Sequence, residues 1–211
     1  MGEEAASRSA VLEHREERRA MAEGHAFLEE KCLLLAGEIV RELGTLEGLR
    51  READDAARRA ASALAAALGR HGLEELSVLP ARPPGAALLR LDRRAVMGVK
   101  LVVATLETDA TPMPAGGSSP ESRACAAAFA DLLALATRLG GVTGNLERLS
   151  GEYRRAIRRA RALADVLIPE RDRLLAELET RLEDLEREDA IAMRHGRQVP
   201  APAQDRRRSL A

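Results

Sequence analysis

The sequence predicts a mainly α-helical fold, a long antiparallel two-helix coiled coil with a small central β-hairpin and loop segment. Two long segments carry apolar residues at the alternating three- and four-residue spacing of a coiled-coil seam. Prolines concentrate between these segments. Aromatic residues make up 1% of the 211 residues and charged residues 32%, which is typical of long helices and argues against a compact α/β enzyme or a β-sandwich. We therefore expect a rod rather than a globule.

The first unit, residues 1–70, is predicted to form one helix because residues 8 to about 70 contain no proline. Its seam is leucine-rich in the middle and alanine-rich after position 50, so the facing helix can approach closely there. The predicted seam residues are Val11, His14, Arg18, Met21, His25, Leu28, Cys32, Leu35, Ile39, Glu42, Leu46, Leu49, Ala53, Ala56, Ala60, Ala63 and Ala67.

The central unit, residues 71–125, differs because it holds six of the nine prolines and two β-prone runs. Residues 86–91 and 96–106 are rich in valine and leucine, which favours strands. The intervening residues Asp92 to Ala95 are predicted to form the turn of a hairpin. After a loop, Ser119 or Ser122 is expected to cap the returning helix.

The third unit, residues 126–197, repeats the helical pattern, and residues 198–211 are predicted to be a flexible tail. Gly140, Gly141 and Gly144 mark a site for a break or bend. Pro169 removes a backbone donor inside the second stripe and predicts a kink. The second seam is predicted at Tyr153, Ile157, Ala160, Ala164, Leu167, Arg171, Leu174, Leu178, Leu182 and Leu185.

The sequence predicts no catalytic residue, cofactor site or metal site, because it lacks a phosphate-binding loop, a nucleophile elbow, HExxH and CxxC. Cys32 and Cys125 are expected to be free thiols. His14 and His25 lie on the first seam, where they interrupt it with polar groups or, with partners on the facing helix, bind a metal. No secretory signal or membrane-spanning run is recognisable, so a cytoplasmic chain without direct membrane insertion is expected.

A dense basic run comprises Arg154, Arg155, Arg158, Arg159 and Arg161. One interpretation is a solvated face whose positive charge is balanced by the acidic stretch from Glu177 to Glu188. The other is a contact surface for an acidic protein partner. Nucleic-acid binding is disfavoured, because the net charge is -1 and aromatic residues for base stacking are missing from this run.

Three short elements, in this order along the chain, carry a family likeness. Residues 96–100 read Val-Met-Gly-Val-Lys, residues 166–169 read Val-Leu-Ile-Pro, and residues 185–189 read Leu-Glu-Arg-Glu-Asp. The first helix, from Val11 to Ile39, also fits in length and position. Together they resemble the D subunit of V-type and A-type ATP synthases over nearly the whole chain.

This resemblance implies a non-catalytic central rotor shaft that couples ATP hydrolysis or synthesis to proton or sodium transport. It implies as partners the catalytic and regulatory nucleotide-binding ring subunits, a second small stalk subunit and a membrane-side socket subunit, so that the chain is peripheral to a membrane. The alternative is a free-standing coiled-coil adaptor or tether. We expect partner contact or coupling at Val96, Met97, Gly98, Val99, Arg154, Arg155, Arg158, Val166, Leu167, Ile168 and Pro169, with Ile168 and Pro169 setting a local bend.

Overall fold

The computed structural model describes residues 7–78, 87–108 and 119–198. Helix α1 spans Arg8–Val78, strands β1 and β2 span Ala87–Val96 and Val99–Thr108, and helix α2 spans Pro120–Ala162. A π-helical turn, Leu163–Leu167, leads into helix α3, Ile168–Gln198. The predicted fold class is confirmed: the chain consists of long helices and a two-stranded antiparallel sheet. The predicted tail, apart from its first residue, lies outside the described residues.

Helix α1 follows the predicted seam closely. Every predicted seam residue except Arg18 is buried or half-buried, and Leu35, Ala60 and Ala67 are almost fully enclosed. The helix extends beyond the predicted end near residue 70, but Gly72 has φ 72° and ψ 172°, which are not helical angles. Glycine adopts this positive φ without a steric penalty, so the regular helix is interrupted there.

The chain divides into two compact units, and the first comprises Met1–Phe27 with Arg159–Ala211. Within it, arginines of α1 pair with carboxylates of α3. The residue numbers of the α3 partners fall as the residue numbers along α1 rise, so these two segments run antiparallel. The pairs are Arg8–Glu186 at 2.7 Å, Arg15–Glu179 at 2.6 Å and Arg18–Asp172 at 2.8 Å.

The second unit comprises Leu28–Arg158. Here α1 and α2 also run antiparallel, because Lys31 pairs with Glu152 and Arg70 pairs with Glu121. A small core joins the helices to the hairpin. Its buried members are Leu35, Val99, Leu101 and Leu149, and Ile39, Val96, Met97 and Tyr153 pack against them.

The hairpin turn is at Met97 and Gly98, not at the predicted residues 92–95, which lie inside β1. Met97 has φ 48° and Gly98 has φ 83°. Positive φ at both central residues is the type I′ turn, whose twist matches that of the flanking strands. The prediction was wrong because it treated Val-Met-Gly-Val as continuous strand, although the glycine marks the turn.

Helix α2 begins earlier than the predicted unit boundary at residue 126. Ser119 is the cap, because its Oγ accepts a hydrogen bond from the Ser122 backbone N–H at 3.1 Å. The expected break at Gly140, Gly141 and Gly144 is not present, since α2 is continuous through them. The helix tolerates these glycines, although each weakens it by about 1 kcal/mol relative to alanine.

The helix departs from α geometry directly before Pro169. In the π turn the backbone N–H of Ile168 donates to the carbonyl of Leu163, five residues earlier. Proline has no N–H and its ring crowds the carbonyl four residues before it, so a wider turn relieves that conflict. Every predicted residue of the second seam is buried or half-buried except Leu167 and Leu185, which are exposed, and Leu175, which was not predicted, is also buried.

Candidate functional site

A buried polar cluster joins the hairpin to both long helices of the second unit. We call this cluster the hairpin junction and define it as Glu38, Glu42, Arg94, Val102 and Asn145. The side chains of Glu38, Glu42 and Asn145 are buried, which is unusual for such polar groups unless they are hydrogen-bonded. The junction therefore depends on its internal bonds.

Arg94 of β1 connects the hairpin to α1. Its guanidinium donates to Glu38 and, at 2.9 Å, to Glu42, two residues one helical turn apart on α1. The hydrogen bond to Glu38 raises the pKa of Arg94 above its ordinary value, so Arg94 stays charged. The second carboxylate oxygen of Glu38, which is also buried, forms an ion pair with Arg41.

Asn145 of α2 holds the outer edge of β2. Its Oδ1 accepts from the Val102 N–H at 2.8 Å, and its Nδ2 donates to the Val102 carbonyl at 2.9 Å. The side-chain amide thus makes both hydrogen bonds that a further strand would make with this residue. Because an unpaired strand edge invites association, Asn145 closes β2 at this position.

Gly141 allows β2 to approach α2 closely. A Cβ added at Gly141 would lie 3.0 Å from the Ala104 side chain and 3.3 Å from its backbone nitrogen. Such contacts are tighter than ordinary van der Waals distances. Gly141 and Asn145 are four residues apart and therefore present one face of α2 to β2.

The residues Val96 to Val99, predicted as partner contacts, make contacts inside the chain. Val99 is buried, and Val96 and Met97 pack against the small core, while Gly98 provides the turn. Their contact with a partner stays a prediction. Sequence reasoning missed Glu38, Arg94 and Asn145, and the one available signal was Glu42, an acidic residue at a predicted seam position.

The predicted arginine surface is exposed on α2. Arg155 pairs with Glu152 at 2.9 Å, whereas Arg154 and Arg158 form no ion pair with any residue the structure describes. One interpretation was that the acidic stretch 177–188 balances the charge of this run, but two of its carboxylates, Glu179 and Glu186, pair with arginines of α1 instead. Partner contact at Arg154, Arg155 and Arg158 stays a prediction.

The third group of predicted contact residues lies at the end of the π turn and the start of α3. Val166 and Leu167 are 47% and 42% exposed, and Ile168 and Pro169 are half-buried. An exposed valine and leucine on a π turn are noteworthy, because single π turns inside α-helices are frequent at functional sites. The structure therefore places these residues on an accessible apolar surface, and their contact with a partner stays a prediction.

A buried histidine interrupts the seam in the first unit. Arg171 donates to Nδ1 of His14 at 2.8 Å and pairs with Glu17 at 2.9 Å. Because a guanidinium has no acceptor, the His14 nitrogen accepts this hydrogen bond. The described residues contain no group of three potential metal ligands, and both cysteines are free thiols.

One helical stretch is apolar enough to cross a membrane by length and composition alone. It is an 18-residue window within Pro120–His195. The alanine-rich part of α2 accounts for it: residues 125–142 hold only Asp131 and Arg138 as charged residues. One such helix is weak evidence for a membrane span.

Known proteins resemble the chain along nearly its whole length. A family model for the D subunit of ATP synthase matches residues 10–197. The D subunit of the V-type ATP synthase of Anaeromyxobacter dehalogenans strain 2CP-C is 30% identical over 213 residues, covering 96% of this chain and 100% of the relative. The D subunit of the A-type ATP synthase of Thermococcus sibiricus is 27% identical over 176 residues, covering 81% of this chain and 82% of the relative.

Proposed function

Because the chain belongs to the family of ATP synthase D subunits, we propose that it is the non-catalytic central shaft of a V-type or A-type rotary ATPase. In this function it couples ATP hydrolysis or synthesis in a ring of nucleotide-binding subunits to rotation, and rotation to proton or sodium transport. The observation that carries the proposal is the pairing of antiparallel helices at a defined register within each unit.

Fixed register supports a mechanical function because two helices that slide past each other cannot transmit torque. The exposed pairs Arg8–Glu186 and Arg15–Glu179 stabilise the fold by only about 0–1 kcal/mol each. Their contribution is to favour one alignment of α1 and α3 over others. In the second unit, the Lys31–Glu152 pair has the same effect and is less exposed.

Asymmetry also supports the proposal. A shaft biases the conformations of surrounding subunits only if its faces differ, because a ligand shifts an equilibrium through differential affinity. In the second unit, α2 carries the exposed arginines Arg154 and Arg158. In the first unit, the π turn carries the exposed apolar residues Val166 and Leu167. We propose that these surfaces contact the ring subunits.

The remaining partners of the proposal are a second small stalk subunit and a membrane-side socket subunit. The chain is then a peripheral cytoplasmic component of a membrane-attached complex and has no catalytic residue or cofactor of its own. A free-standing coiled-coil adaptor is the competing function, and it predicts a different set of partners.

The test is purification of the tagged full-length chain from its source cells under gentle conditions. We expect two large nucleotide-binding subunits and another small stalk subunit in fixed ratio, together with ATPase activity. The test variant carries Arg154→Ala and Arg158→Ala. The matched control carries Arg19→Ala and Arg51→Ala, which replace two exposed arginines of α1. We expect only the first variant to lower ATP-driven ion transport. Recovery of the tagged chain without nucleotide-binding subunits would overturn the proposal and favour the adaptor.

A further inference from the structure

Strand β1 is exposed along most of its length. Every residue from Leu88 to Ala95 is exposed, including Leu88 at 62%, Leu89 at 52% and Leu91 at 43%. Three exposed leucines lie within four residues of a ten-residue strand, which is long for an edge strand, and the charged residues Arg90, Asp92, Arg93 and Arg94 lie among and after them. This strand is therefore a candidate surface for another polypeptide.

The hairpin register shows which backbone groups of β1 point outward. In an antiparallel pair, hydrogen-bonded and non-hydrogen-bonded residue pairs alternate. Val102 opposes Arg93, and the Val102 N–H and carbonyl bond to Asn145, so both point away from β1. Arg93 therefore directs its own N–H and carbonyl away from β2. By alternation, Leu89 and Leu91 do the same.

The two edges of the hairpin differ in their protection. The β2 edge is covered at Val102 by Asn145 and approaches Gly141 of α2 at Ala104. The outward N–H groups of β1 donate no hydrogen bond to the part of the chain that the structure describes, and the outward carbonyls accept none from it. Unpaired N–H and carbonyl groups in a row form a template for an added strand.

An added strand would meet the exposed side chains of Leu89, Leu91 and Arg93, which lie on the face of the hairpin that packs against α2 at Ala104. Leu89 and Leu91 share this face with Arg93, because alternate residues of a strand point the same way. Leu106 opposes Leu89, and Lys100 opposes Ala95, so both lie on the same face. The face thus combines leucines with cations.

The cations on this face are available for a partner. Arg93 and Lys100 form no ion pair with any described residue, whereas Arg90 and Arg94 on the opposite face pair with Glu107 and with Glu38 and Glu42. A second copy of β1 would supply no anion on this face: paired in parallel and in register it places Arg93 opposite Arg93, and paired antiparallel about Leu91 it places Arg93 opposite Leu89. Charge complementarity instead favours an acidic strand.

We propose that the β1 edge at Leu89–Arg93 binds an extended segment of another protein subunit that carries both apolar and acidic side chains. The segment pairs with the outward backbone groups of Leu89, Leu91 and Arg93. Its apolar side chains contact the leucines, and its carboxylates pair with Arg93 and Lys100. This inference goes beyond the proposed function, which does not assign a partner to the hairpin.

The test compares hydrogen exchange in the isolated full-length chain and in the assembly purified through its tag. We expect the amides of Leu89, Leu91 and Arg93 to exchange at least about tenfold more slowly in the assembly, because strand pairing protects outward amides. A photo-crosslinking benzoylphenylalanine at Leu89 should attach to an Asp- or Glu-containing segment of another subunit.

Two variants at one position separate backbone pairing from side-chain packing. Leu91→Pro removes an outward N–H that the hairpin ladder does not use, so the hairpin keeps its own bonds while the edge loses a donor. Leu91→Thr keeps the N–H in a strand-favouring residue. We expect Leu91→Pro to abolish the protection and the cross-link, and Leu91→Thr to retain both. Slow exchange at Asp92, whose N–H points toward β2, verifies that the hairpin is folded.

Equal exchange of the β1 amides in the isolated chain and in the assembly would overturn this inference. A cross-link to a second copy of this chain, or protection produced by anionic phospholipid vesicles without other subunits, would also overturn it. The subunit composition of the same preparation reports separately on the proposed function, so the two failures are distinguishable.

Discussion

Asn145 of α2 bonds to Val102 of β2, which lies 43 residues earlier in the chain. Its side-chain amide forms hydrogen bonds with both the N–H and the carbonyl of Val102, and its Nδ2 lies 3.4 Å from Oε2 of Glu42. The Arg148 guanidinium donates to the same amide oxygen at 2.8 Å. Because the residue is buried, an unmatched group there costs more than the hydrogen bond itself contributes.

Asn145→Asp tests this residue. The substitution removes the donor to the Val102 carbonyl and places a carboxyl group near Glu42, so we expect the free energy of unfolding to fall by about 1–3 kcal/mol. Urea unfolding measures the change, and hydrogen exchange at Val102 should accelerate. Glu147→Gln, a nearby exposed swap between carboxyl and amide, is the control and should change stability by less than about 0.5 kcal/mol. Equal effects of the two substitutions would contradict the assigned role of Asn145.

At the scale of elements, two adjacent glycines of α2 have opposite requirements. A Cβ at Gly141 would collide with Ala104 of β2, whereas a Cβ at Gly140 would meet nothing within 4 Å. The helix itself favours alanine at both positions. Packing against the hairpin therefore decides which glycine is needed.

We expect Gly140→Ala to stabilise the chain by about 0.5–1 kcal/mol, because alanine reduces the freedom of the unfolded chain and suits a helix. Gly141→Ala should destabilise it by about 1–3 kcal/mol, because the hairpin must shift. Thermal unfolding of the two single variants measures both effects under the same conditions. If Gly141→Ala also raised the melting temperature, the close approach of β2 to α2 would be disproved.

Pro169 provides a second test at the scale of elements. In Pro169→Ala the new N–H can donate to the Asp165 carbonyl, so we expect α-helical bonding to replace the π turn and amide exchange over residues 163–169 to slow. The change removes the predicted bend, so the proposed shaft function predicts that ATP-driven ion transport per ATP hydrolysed falls. Pro120→Ala is the matched control, because proline is tolerated in the first turn of a helix. Unchanged transport in Pro169→Ala would show that the π turn has no function in coupling.

At the scale of the whole molecule, the stability of the chain depends on pH through its carboxylates. Lys31 donates to Glu152 at 2.7 Å, and this bond, followed by one from Arg155, lowers the pKa of Glu152 below its ordinary value of 4.5. The two paired side chains are only 16% and 19% exposed. At the start of α2, a hydrogen bond from its own backbone N–H lowers the pKa of Glu121.

A lowered carboxyl pKa stabilises the folded state above the unfolded value, and that contribution is lost as the pH falls through the folded value. We therefore expect the free energy of unfolding to decline below about pH 4.5. Lys31→Met should make this decline shallower, because Glu152 loses the main cause of its shift. Arg19→Met is the control, since the Arg19–Glu23 pair is exposed. Identical pH profiles for both variants would show that the Lys31 bond does not shift Glu152.

The sequence alone determined the helical class, the seam of α1 and the family. Apolar spacing reports which face of a helix is buried, so nearly all predicted α1 seam residues are enclosed, including the polar residues His14 and Glu42. The ordered motifs near residues 96–100 and 166–169 identified the family that the comparison confirms. Periodicity and short motifs are local properties, and a sequence displays them directly.

The position of the hairpin and the bonds that hold it depend on tertiary contacts. The bonds of Arg94 to α1 and the pairing of Asn145 with Val102 join residues far apart in the chain. The sequence also favoured a break at the glycines of α2. The helix is instead continuous there, and Gly141 packs against β2. Such contacts depend on which surfaces meet after folding, and the spacing of residues along one helix contains no information about the facing element.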